Sequence, residues 1–415
     1  MKTPITDAIN RYKEHISFHT PAHCGVLSPY DITELSYSGN LLSHEGVINE
    51  SEQLVSKAYG AECTLFVTSG ATTALHAAMA VFWGETFLVL GAAHKAIFSG
   101  LRLFAKDAFY LDEYALLEKA LKDIRPRALI VTSPDYFGNT LNLNNISVLC
   151  ARLGVALIID AAHGAHFPFC SKLPYSATFY GDLVIHSLHK TMPVLTGGAV
   201  LHCKKEYYEK AVFAMGELHT SSPSYPVMQS IEAAVAAMEQ DGERLWSEVL
   251  DEVHKFAKGL SSPYRYIKND DPSRLVIASP YEGAEVAKAL ETKGIFCEMS
   301  YEDTVVFIVN PYNADKLPML QNALERIGGL NDCKQQLQFP FYGTPRKLTI
   351  RGVCKRVSLQ DAIGKTLYRE IGCYPPGVPL FLPGHVLSKR DIEFLSVFGK
   401  SFFGIDNGAV FVVSY

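Results

Sequence analysis

The chain has 415 residues, of which 48% are hydrophobic and 20% charged, and its formal net charge is −5. These values are typical of a globular protein of two or three domains, and the lack of a basic segment argues against nucleic-acid binding. No run approaches the roughly 20 apolar residues of a membrane-spanning helix, and the N-terminus lacks a signal peptide's apolar core, so we expect a cytoplasmic protein that does not bind membranes.

The nine cysteines are scattered along the chain and include no CxxC pair. This pattern indicates reduced thiols rather than a disulfide framework or a structural zinc site.

Between residues 64 and 203, short β-rich runs alternate with helical ones, such as the helices predicted at 71–83 and 145–154. Continuous apolar strands separated by helices are typical of a buried, mostly parallel sheet, so the sequence predicts an α/β fold. The predicted strands are TLFVTS (64–69), TFLVL (86–90), RALIVTS (127–133), VALIID (155–160), LVIHS (183–187) and GAVLHC (198–203).

A long helical region follows, from about residue 207 to 260. Residues 273–279, 285–294 and 303–310 then predict a β-α-β unit, and beyond about residue 329 the composition becomes mixed and locally rich in proline. We therefore predict three domains: a large domain with the N-terminal segment, a smaller α/β domain and a C-terminal α+β domain. Their predicted ranges are 1–255, 256–331 and 332–415.

Side chains that can take part in catalysis or ligand binding lie at or just after the ends of several of these strands: Ser69, Asp160, His163, His189 and Lys190. Ligands of open α/β sheets bind at the carboxyl ends of the strands, so this placement predicts a single site. The segment TSGATT (68–73) puts a glycine and hydroxyls between a strand and a helix. That arrangement suits a phosphate, although it equally suits a plain turn with a helix cap.

Two further segments carry the remaining candidates. Asp160 ends an apolar strand and could pair with a protonated ring nitrogen, or could simply cap a turn. A metal site made by His163 and His166 is a further alternative, but no third ligand has a suitable spacing, so we expect no metal. Lys190 in SLHK (187–190) could form a covalent imine, or could lie on the surface at a strand end.

The order of these features resembles the fold-type-I pyridoxal-phosphate (PLP) enzymes, the aspartate-aminotransferase-like group. Nearly the whole chain is similar to the Orn/Lys/Arg decarboxylase family, in particular to its short members, which have no N-terminal wing domain. The matching segments are PAHCG (21–25), DITEL (31–35), AHK (93–95), SLHK, TSSPSY (220–225) and, most distinctively, YPPGVPLFLPG (374–384).

The resemblance implies PLP as the cofactor, with Lys190 as the Schiff-base lysine and Asp160 bound to the pyridine nitrogen. It implies that His94 stacks on the cofactor ring and that His163 lies beside it. The implied phosphate ligands are Thr72, Thr73, Ser187, His189 and, from a neighbouring subunit, Thr220.

A threonine contributed by a neighbour implies a homodimer with shared active sites. The implied reaction is decarboxylation of an amino acid, lysine, ornithine or arginine above all, to an amine and CO2. Lys190 or His189 would then return a proton to Cα, so the implied catalytic residues are Lys190, His189 and Asp160.

The sequence departs from the usual family pattern around the predicted site, which makes an altered substrate or reduced activity an expectation. For the distal cation of a basic substrate, Glu298 and Asp135 are candidates on charge alone. An aminotransferase, a C–S lyase and a degenerate PLP-binding paralogue with a regulatory role stay open as alternatives. The departing residues are Cys24, Ala71, Leu75, Asp135, Ala161, Gly197 and His385.

Overall fold

The computed structural model describes residues 1–12, 16–333, 344–374, 377–398 and 402–414. The strands in these ranges are β1 (Cys63–Val67), β2 (Thr86–Leu90), β3 (Asp107–Leu111), β4 (Ala128–Thr132), β5 (Ala156–Asp160), β6 (Leu183–His186), β7 (Ala199–Cys203), β8 (Arg265–Ile267), β9 (Arg274–Ala278), β10 (Met299–Tyr301), β11 (Thr304–Ile308), β12 (Arg346–Lys347), β13 (Val353–Ser358), β14 (Ile371–Cys373), β15 (Pro379–Phe381), β16 (Phe402–Phe403) and β17 (Ala409–Ser414).

The α-helices in the same ranges are α1 (Pro4–Tyr12), α2 (Val47–Tyr59), α3 (Ala71–Ala80), α4 (Lys95–Phe104), α5 (Leu117–Ile124), α6 (Leu143–Leu153), α7 (Tyr208–Leu218), α8 (Tyr225–Gly259), α9 (Gly283–Glu291), α10 (Leu317–Glu325) and α11 (Lys389–Phe398). Among the described residues, none of the helices is long and apolar enough to cross a membrane.

The chain divides into two compact units. The first comprises Met1–Val81, Ser133–Ser147 and Ile158–Cys333, and the second comprises Phe82–Thr132, Val148–Leu157 and Lys334–Tyr415. The domain boundaries expected at residues 255 and 331 stay a prediction. Residues 334–343, 399–401 and 415 of the expected C-terminal domain, and 375–376 of its proline-rich segment, lie outside the described residues.

In the first unit, β1 pairs with β7 and β7 with β6, both antiparallel, while β6 pairs with β5 in parallel. The strands are fully buried apart from the first residue of β1, which fits their continuous apolar sequences. A second sheet of this unit is antiparallel and has the order β10-β11-β9-β8. The carboxyl ends of β1, β5 and β6 carry the residues of the candidate site.

The core of the first unit is organised by α8, which is 35 residues long. Its buried side chains recur every three or four residues, as in the series Met228, Ile231, Val235 and Met238, so one face of the helix is apolar. α1, α2 and α10 pack against this helix.

In the second unit, β2 pairs in parallel with both β3 and β4, and β12 pairs antiparallel with β3. β13 pairs with β17, and β14 lies between β15 and β16. A separate apolar core beneath these C-terminal strands includes Leu367, Ile371, Leu387 and Val412. A largely buried ion pair joins Arg102 of α4 to Glu370, with nitrogen–oxygen distances of 2.5 and 3.1 Å.

The predicted α/β class with mostly parallel strands is confirmed, and β1, β2, β4, β5, β6 and β7 correspond to the six predicted strands. The helical region expected from 207 to 260 is interrupted, because α7 ends at Leu218 and α8 begins at Tyr225. The interruption contains Pro223, and α8 has Pro226 in its first turn. A residue that precedes proline disfavours helical geometry, which accounts for the break.

Candidate active site

Lys190 lies in a short 3₁₀ turn, Leu188–Lys190, directly after β6. Its Nζ is 3.1 Å from Nε2 of His163 and 5.6 Å from the centroid of the Tyr136 ring. Burial lowers the pKa of Lys190, and the nearby carboxylate of Asp160 opposes this shift. An amine with a depressed pKa loses its proton more easily, which is what a nucleophilic lysine requires.

Asp160 is the last residue of β5, and its side chain is buried at the end of the strand. Its Oδ1 accepts a hydrogen bond from the Ala162 amide at 3.2 Å. Burial raises the pKa of Asp160, while the charge of Lys190 and the Ala162 hydrogen bond lower it. A further cation beside this carboxylate would favour the ionised form.

The loop between β1 and α3 lies against a pair of glycines, Gly197 and Gly198. The Gly70 amide donates to the Gly197 carbonyl at 2.8 Å, and the Ser69 hydroxyl donates to Thr73 Oγ1 at 2.9 Å. A Cβ atom at Gly70 would meet no described atom within 4 Å, so the N-terminus of α3 faces open space. Free backbone N–H groups at such a terminus attract anions. Thr72, in the first turn of α3, is exposed.

The same glycine pair contacts the turn that carries Lys190. The His189 amide donates to the Gly198 carbonyl at 3.4 Å, and His189 Nδ1 lies 3.2 Å from that oxygen. Ser187 is buried, with its Oγ 3.5 Å from His189 Nδ1. Burial lowers the pKa of His189, and the Gly198 carbonyl opposes the shift. The structure thus brings the start of α3, with Thr72 and Thr73, close to the turn that carries Ser187, His189 and Lys190.

Thr220 is exposed in the segment between α7 and α8, where its Oγ1 accepts from the Ser222 amide at 3.1 Å. The preceding His219 accepts from the Thr68 amide at 3.0 Å, which holds this segment beside the β1–α3 loop.

His94 belongs to the second unit, whereas the residues above belong to the first. It caps the N-terminus of α4, its ring nitrogen accepting from the Ala96 amide at 3.2 Å, and the next amide, that of Lys95, donates to the Gly377 carbonyl at 2.8 Å. A Cβ atom at Gly377 would lie 2.8 Å from the His94 ring, so only glycine fits there. The stacking role of His94 stays a prediction.

The two substrate candidates have different surroundings. Asp135 Oδ1 accepts hydrogen bonds from the amides of Phe137 and Asn139, each at 2.9 Å, so this carboxylate stabilises the loop in which it lies. Glu298 is half-buried. Burial lowers the pKa of both Lys190 and Arg274, and the negative charge of Glu298 partly opposes both shifts.

Two residues of the site were missed in the sequence. Arg274, the first residue of β9, is fully buried, and its Nη2 donates to His163 Nδ1. The ring of Tyr136 packs on His163 with the centroids 4.3 Å apart. An arginine that begins an otherwise apolar strand was the available signal for Arg274, because buried arginines need partners. The loop position of Tyr136 gave no comparable signal.

His166 does not join His163 in a metal site. Its Nε2 lies 3.4 Å from Asp271 Oδ1 and 3.2 Å from Ser273 Oγ, in a buried polar cluster. Within the described ranges no group of three or more His, Cys, Asp or Glu side chains is arranged to hold a metal ion.

Asp160 is thus buried at the end of β5, and half-buried Lys190 follows the neighbouring strand β6 in an α/β fold. The family model described as Orn/Lys/Arg decarboxylase, major domain, matches residues 3–113 and 111–276. The model of the C-terminal domain of the same family matches residues 344–404. The chain belongs to the Orn/Lys/Arg decarboxylase family, as predicted, and its class is that of the amino-acid decarboxylases.

Individual relatives match the chain over most of their length. The chain is 26% identical to the uncharacterized protein YaaO of Bacillus subtilis, covering 95% of this chain and 94% of that protein. It is 24% identical to the arginine decarboxylase of Halalkalibacterium halodurans, with 95% and 93% covered.

Solved structures share the fold. Constitutive lysine decarboxylase of Escherichia coli superposes with a TM-score of 0.81 at 19% identity, covering 100% of this chain and 82% of that one. A structure of a variant of SPT with PLP superposes with a TM-score of 0.57 at 16% identity, covering 79% and 86%. Alanine–glyoxylate aminotransferase from Nostoc sp. superposes with a TM-score of 0.58 at 16% identity, covering 77% of this chain and 91% of that one, which confirms the aminotransferase-like architecture.

Proposed function

We propose that this protein decarboxylates a basic amino acid, lysine, ornithine or arginine, with PLP bound covalently through Lys190. The observation that carries the proposal is the amine of half-buried Lys190, which lies 3.1 Å from His163 Nε2 and within electrostatic reach of the buried carboxylate of Asp160. The named activities of the arginine and lysine decarboxylases among its relatives support it, as does the fold shared with an enzyme that binds PLP.

The residues present fit this cofactor. Its aldehyde needs a nucleophilic amine, its ring nitrogen an anion and its phosphate a cradle of N–H and hydroxyl groups. Lys190 and Asp160 meet the first two needs. The open N-terminus of α3, where no described atom lies within 4 Å of a Cβ built at Gly70, leaves room for the third beside Thr72 and Thr73.

Bound PLP would accept the electron pair left on Cα when CO2 departs. Asp160 would hold the proton on the ring nitrogen, because a cation beside this carboxylate offsets the rise in its pKa that burial causes. Ser187 and His189 would hold the phosphate together with Thr72 and Thr73, and Lys190 or His189 would deliver a proton to Cα.

Hydrogen bonding favours Glu298 over Asp135 as the partner of the substrate's distal cation. The Asp135 carboxylate already accepts two backbone hydrogen bonds within its loop, whereas the charge of Glu298 acts on Lys190, although less strongly than burial, Asp160 and Arg274 do. A charge-assisted hydrogen bond to a carboxylate suits an ammonium or a guanidinium equally, so this contact defines a basic substrate without choosing among the three.

The protein is further proposed to be a homodimer in which Thr220 reaches the neighbouring subunit's phosphate site. Thr220 is exposed next to the β1–α3 loop, as such a role requires. Sedimentation equilibrium measures the mass directly, and a monomer at the concentrations that support activity would contradict this part of the proposal. A cytoplasmic location is also a prediction.

The central test is to incubate the purified protein with PLP, reduce with borohydride and map the modified peptide. We expect the adduct on Lys190, and amine plus CO2 from one of lysine, ornithine or arginine. Lys190→Ala should lose both the adduct and the turnover. Lys172→Ala is the matched control, because Lys172 is exposed and pairs with Asp251 at 3.8 Å, outside the site.

Each other outcome points elsewhere. A keto acid as the product would indicate an aminotransferase, and an adduct without turnover of any amino acid would favour the degenerate paralogue. An unmodified Lys190 in the wild-type protein would contradict the proposal altogether.

A further inference from the structure

Arg274 determines where the proton of His163 lies. The Arg274 side chain is fully buried, and its Nη2 donates to His163 Nδ1. A guanidinium carries only donors and keeps its charge in proteins, so Nδ1 must act as the acceptor. The remaining proton of the neutral imidazole therefore lies on Nε2.

Nε2 faces the reactive lysine, since it lies 3.1 Å from Lys190 Nζ. An N–H group that points at a nitrogen needs a lone pair there. A neutral amine has one, whereas an ammonium offers three donors and no acceptor. We infer that Arg274 is a positioning residue that fixes His163 in its Nε2–H tautomer and thereby keeps Lys190 an uncharged amine. This inference rests on the proposed function, in which the lone pair of Lys190 attacks the cofactor aldehyde.

Arg274 is itself held in place by the segment that precedes β9. The Arg274 amide donates to the Asp271 carbonyl at 3.0 Å, and Asn269 Nδ2 donates to the Arg274 carbonyl at 2.7 Å. The buried carboxylate of Asp271, bound by Ser273 Oγ at 2.6 Å, supplies the opposite charge. The two hydrogen bonds fix the backbone of Arg274, and the negative charge of Asp271 favours the guanidinium in the buried position from which it contacts His163.

The groups facing Lys190 change its pKa in opposite directions. Burial and the positive charge of Arg274 lower the pKa of Lys190, while the carboxylates of Asp160 and Glu298 raise it. The Tyr136 ring packs on His163 and lies 5.6 Å from Nζ. Loss of Arg274 would leave both carboxylates in place and free His163 to accept a proton from an ammonium, so the balance would move toward charged Lys190.

The first test reads the tautomer in the protein without cofactor. Proton–nitrogen correlation spectra of ¹⁵N-histidine-labelled protein distinguish the two neutral tautomers and the cation, and His163→Gln identifies the His163 signals among the 14 histidines. We expect the Nε2–H tautomer in the wild type. A proton on Nδ1 in the wild type would overturn the inference without any variant of Arg274.

The second test follows the pH dependence of covalent capture. Arg274→Met should shift the midpoint of the capture rate by PLP upward by about one pH unit, making capture about tenfold slower below it. Arg274→Lys, which keeps a cationic donor, should recover part of the shift, and thermal unfolding verifies that each variant is folded. An unshifted midpoint in folded Arg274→Met would refute the inference. If the wild type forms no adduct on Lys190, the proposed function fails, and the tautomer measurement still decides this inference separately.

Discussion

Gly197 is the residue on which the shape of the proposed phosphate loop depends, and Gly197→Ala tests this. Its φ of +93° is a conformation that residues with a Cβ adopt only with strain, and a Cβ there would lie 2.9 Å from the Thr68 carbonyl oxygen. Backbone strain of this kind costs about 1–3 kcal/mol. Relief by movement of the loop would instead sacrifice the 2.8 Å hydrogen bond from the Gly70 amide, worth about 1 kcal/mol.

Two assays separate these routes. Urea denaturation measures the free energy of unfolding, which should fall by about 1–3 kcal/mol if the strain is retained. PLP titration measures the dissociation constant, which should rise about tenfold for each ~1.4 kcal/mol if the loop moves. Gly216→Ala is the control, since a Cβ there meets no described atom within 4 Å and alanine favours the interior of α7. A Gly197→Ala protein with both quantities unchanged would refute the reasoning.

Three further predictions concern other parts of the first unit. Burial lowers the pKa of His186 to about 3 and also lowers that of His202. Stability is therefore retained above pH ~6.5 and is lost below it, at a slope that approaches ~1.4 kcal/mol per pH unit for each histidine. His202→Gln should lower the proton uptake on unfolding by about one proton near pH 5 and by much less at pH 7, measured from urea melts across this range. Glu298→Gln should raise KM for the basic amino acid about 10- to 100-fold with little change in kcat, whereas Asp135→Asn should leave KM unchanged, and equal effects would reject Glu298 as the contact. Glu232 accepts from the Ile5 and Thr6 amides at 2.9 and 3.0 Å at the start of α1, so Glu232→Ala should cost about 1–2 kcal/mol and make α1 the first site of limited proteolysis, a result that unchanged proteolysis would contradict.

Local sequence pattern was sufficient for the strands that build the sheet. The runs that form β1, β5 and β6 are mostly apolar and end at a polar residue or a turn. This is the pattern expected of short strands that are buried on both faces, as these strands are. β3, with the sequence DAFYL, was not predicted, because it begins with an aspartate and three of its five residues are only half-buried, which gives a weaker apolar signal. The break between α7 and α8 was missed because the helical composition continues on both sides of Pro223.

Some of the residues near Lys190 could likewise be predicted from the sequence, and others could not. Asp160 was found because it ends a predicted strand, and His163 because it lies three residues after that end. Arg274 lies 111 positions from His163 in the chain, and only the tertiary fold brings the guanidinium to the imidazole. Its importance depends on which of its atoms face which nitrogen, and no sequence period encodes that relation.

The departures from the usual family pattern also have separable physical settings. Ala161 and Leu75 are buried, and a carboxylate or amide at either position would need a partner in the interior. Their apolar side chains are therefore consistent with the packing around them, and they do not by themselves indicate lost chemistry. Gly197 instead packs against the β1–α3 loop from the segment before β7, and its φ of +93° favours glycine. Lys190 and Arg274 both contact His163, and no substituted residue makes either contact. We therefore expect the chemistry of the lysine to be retained and the differences from relatives to concern how ligands are held.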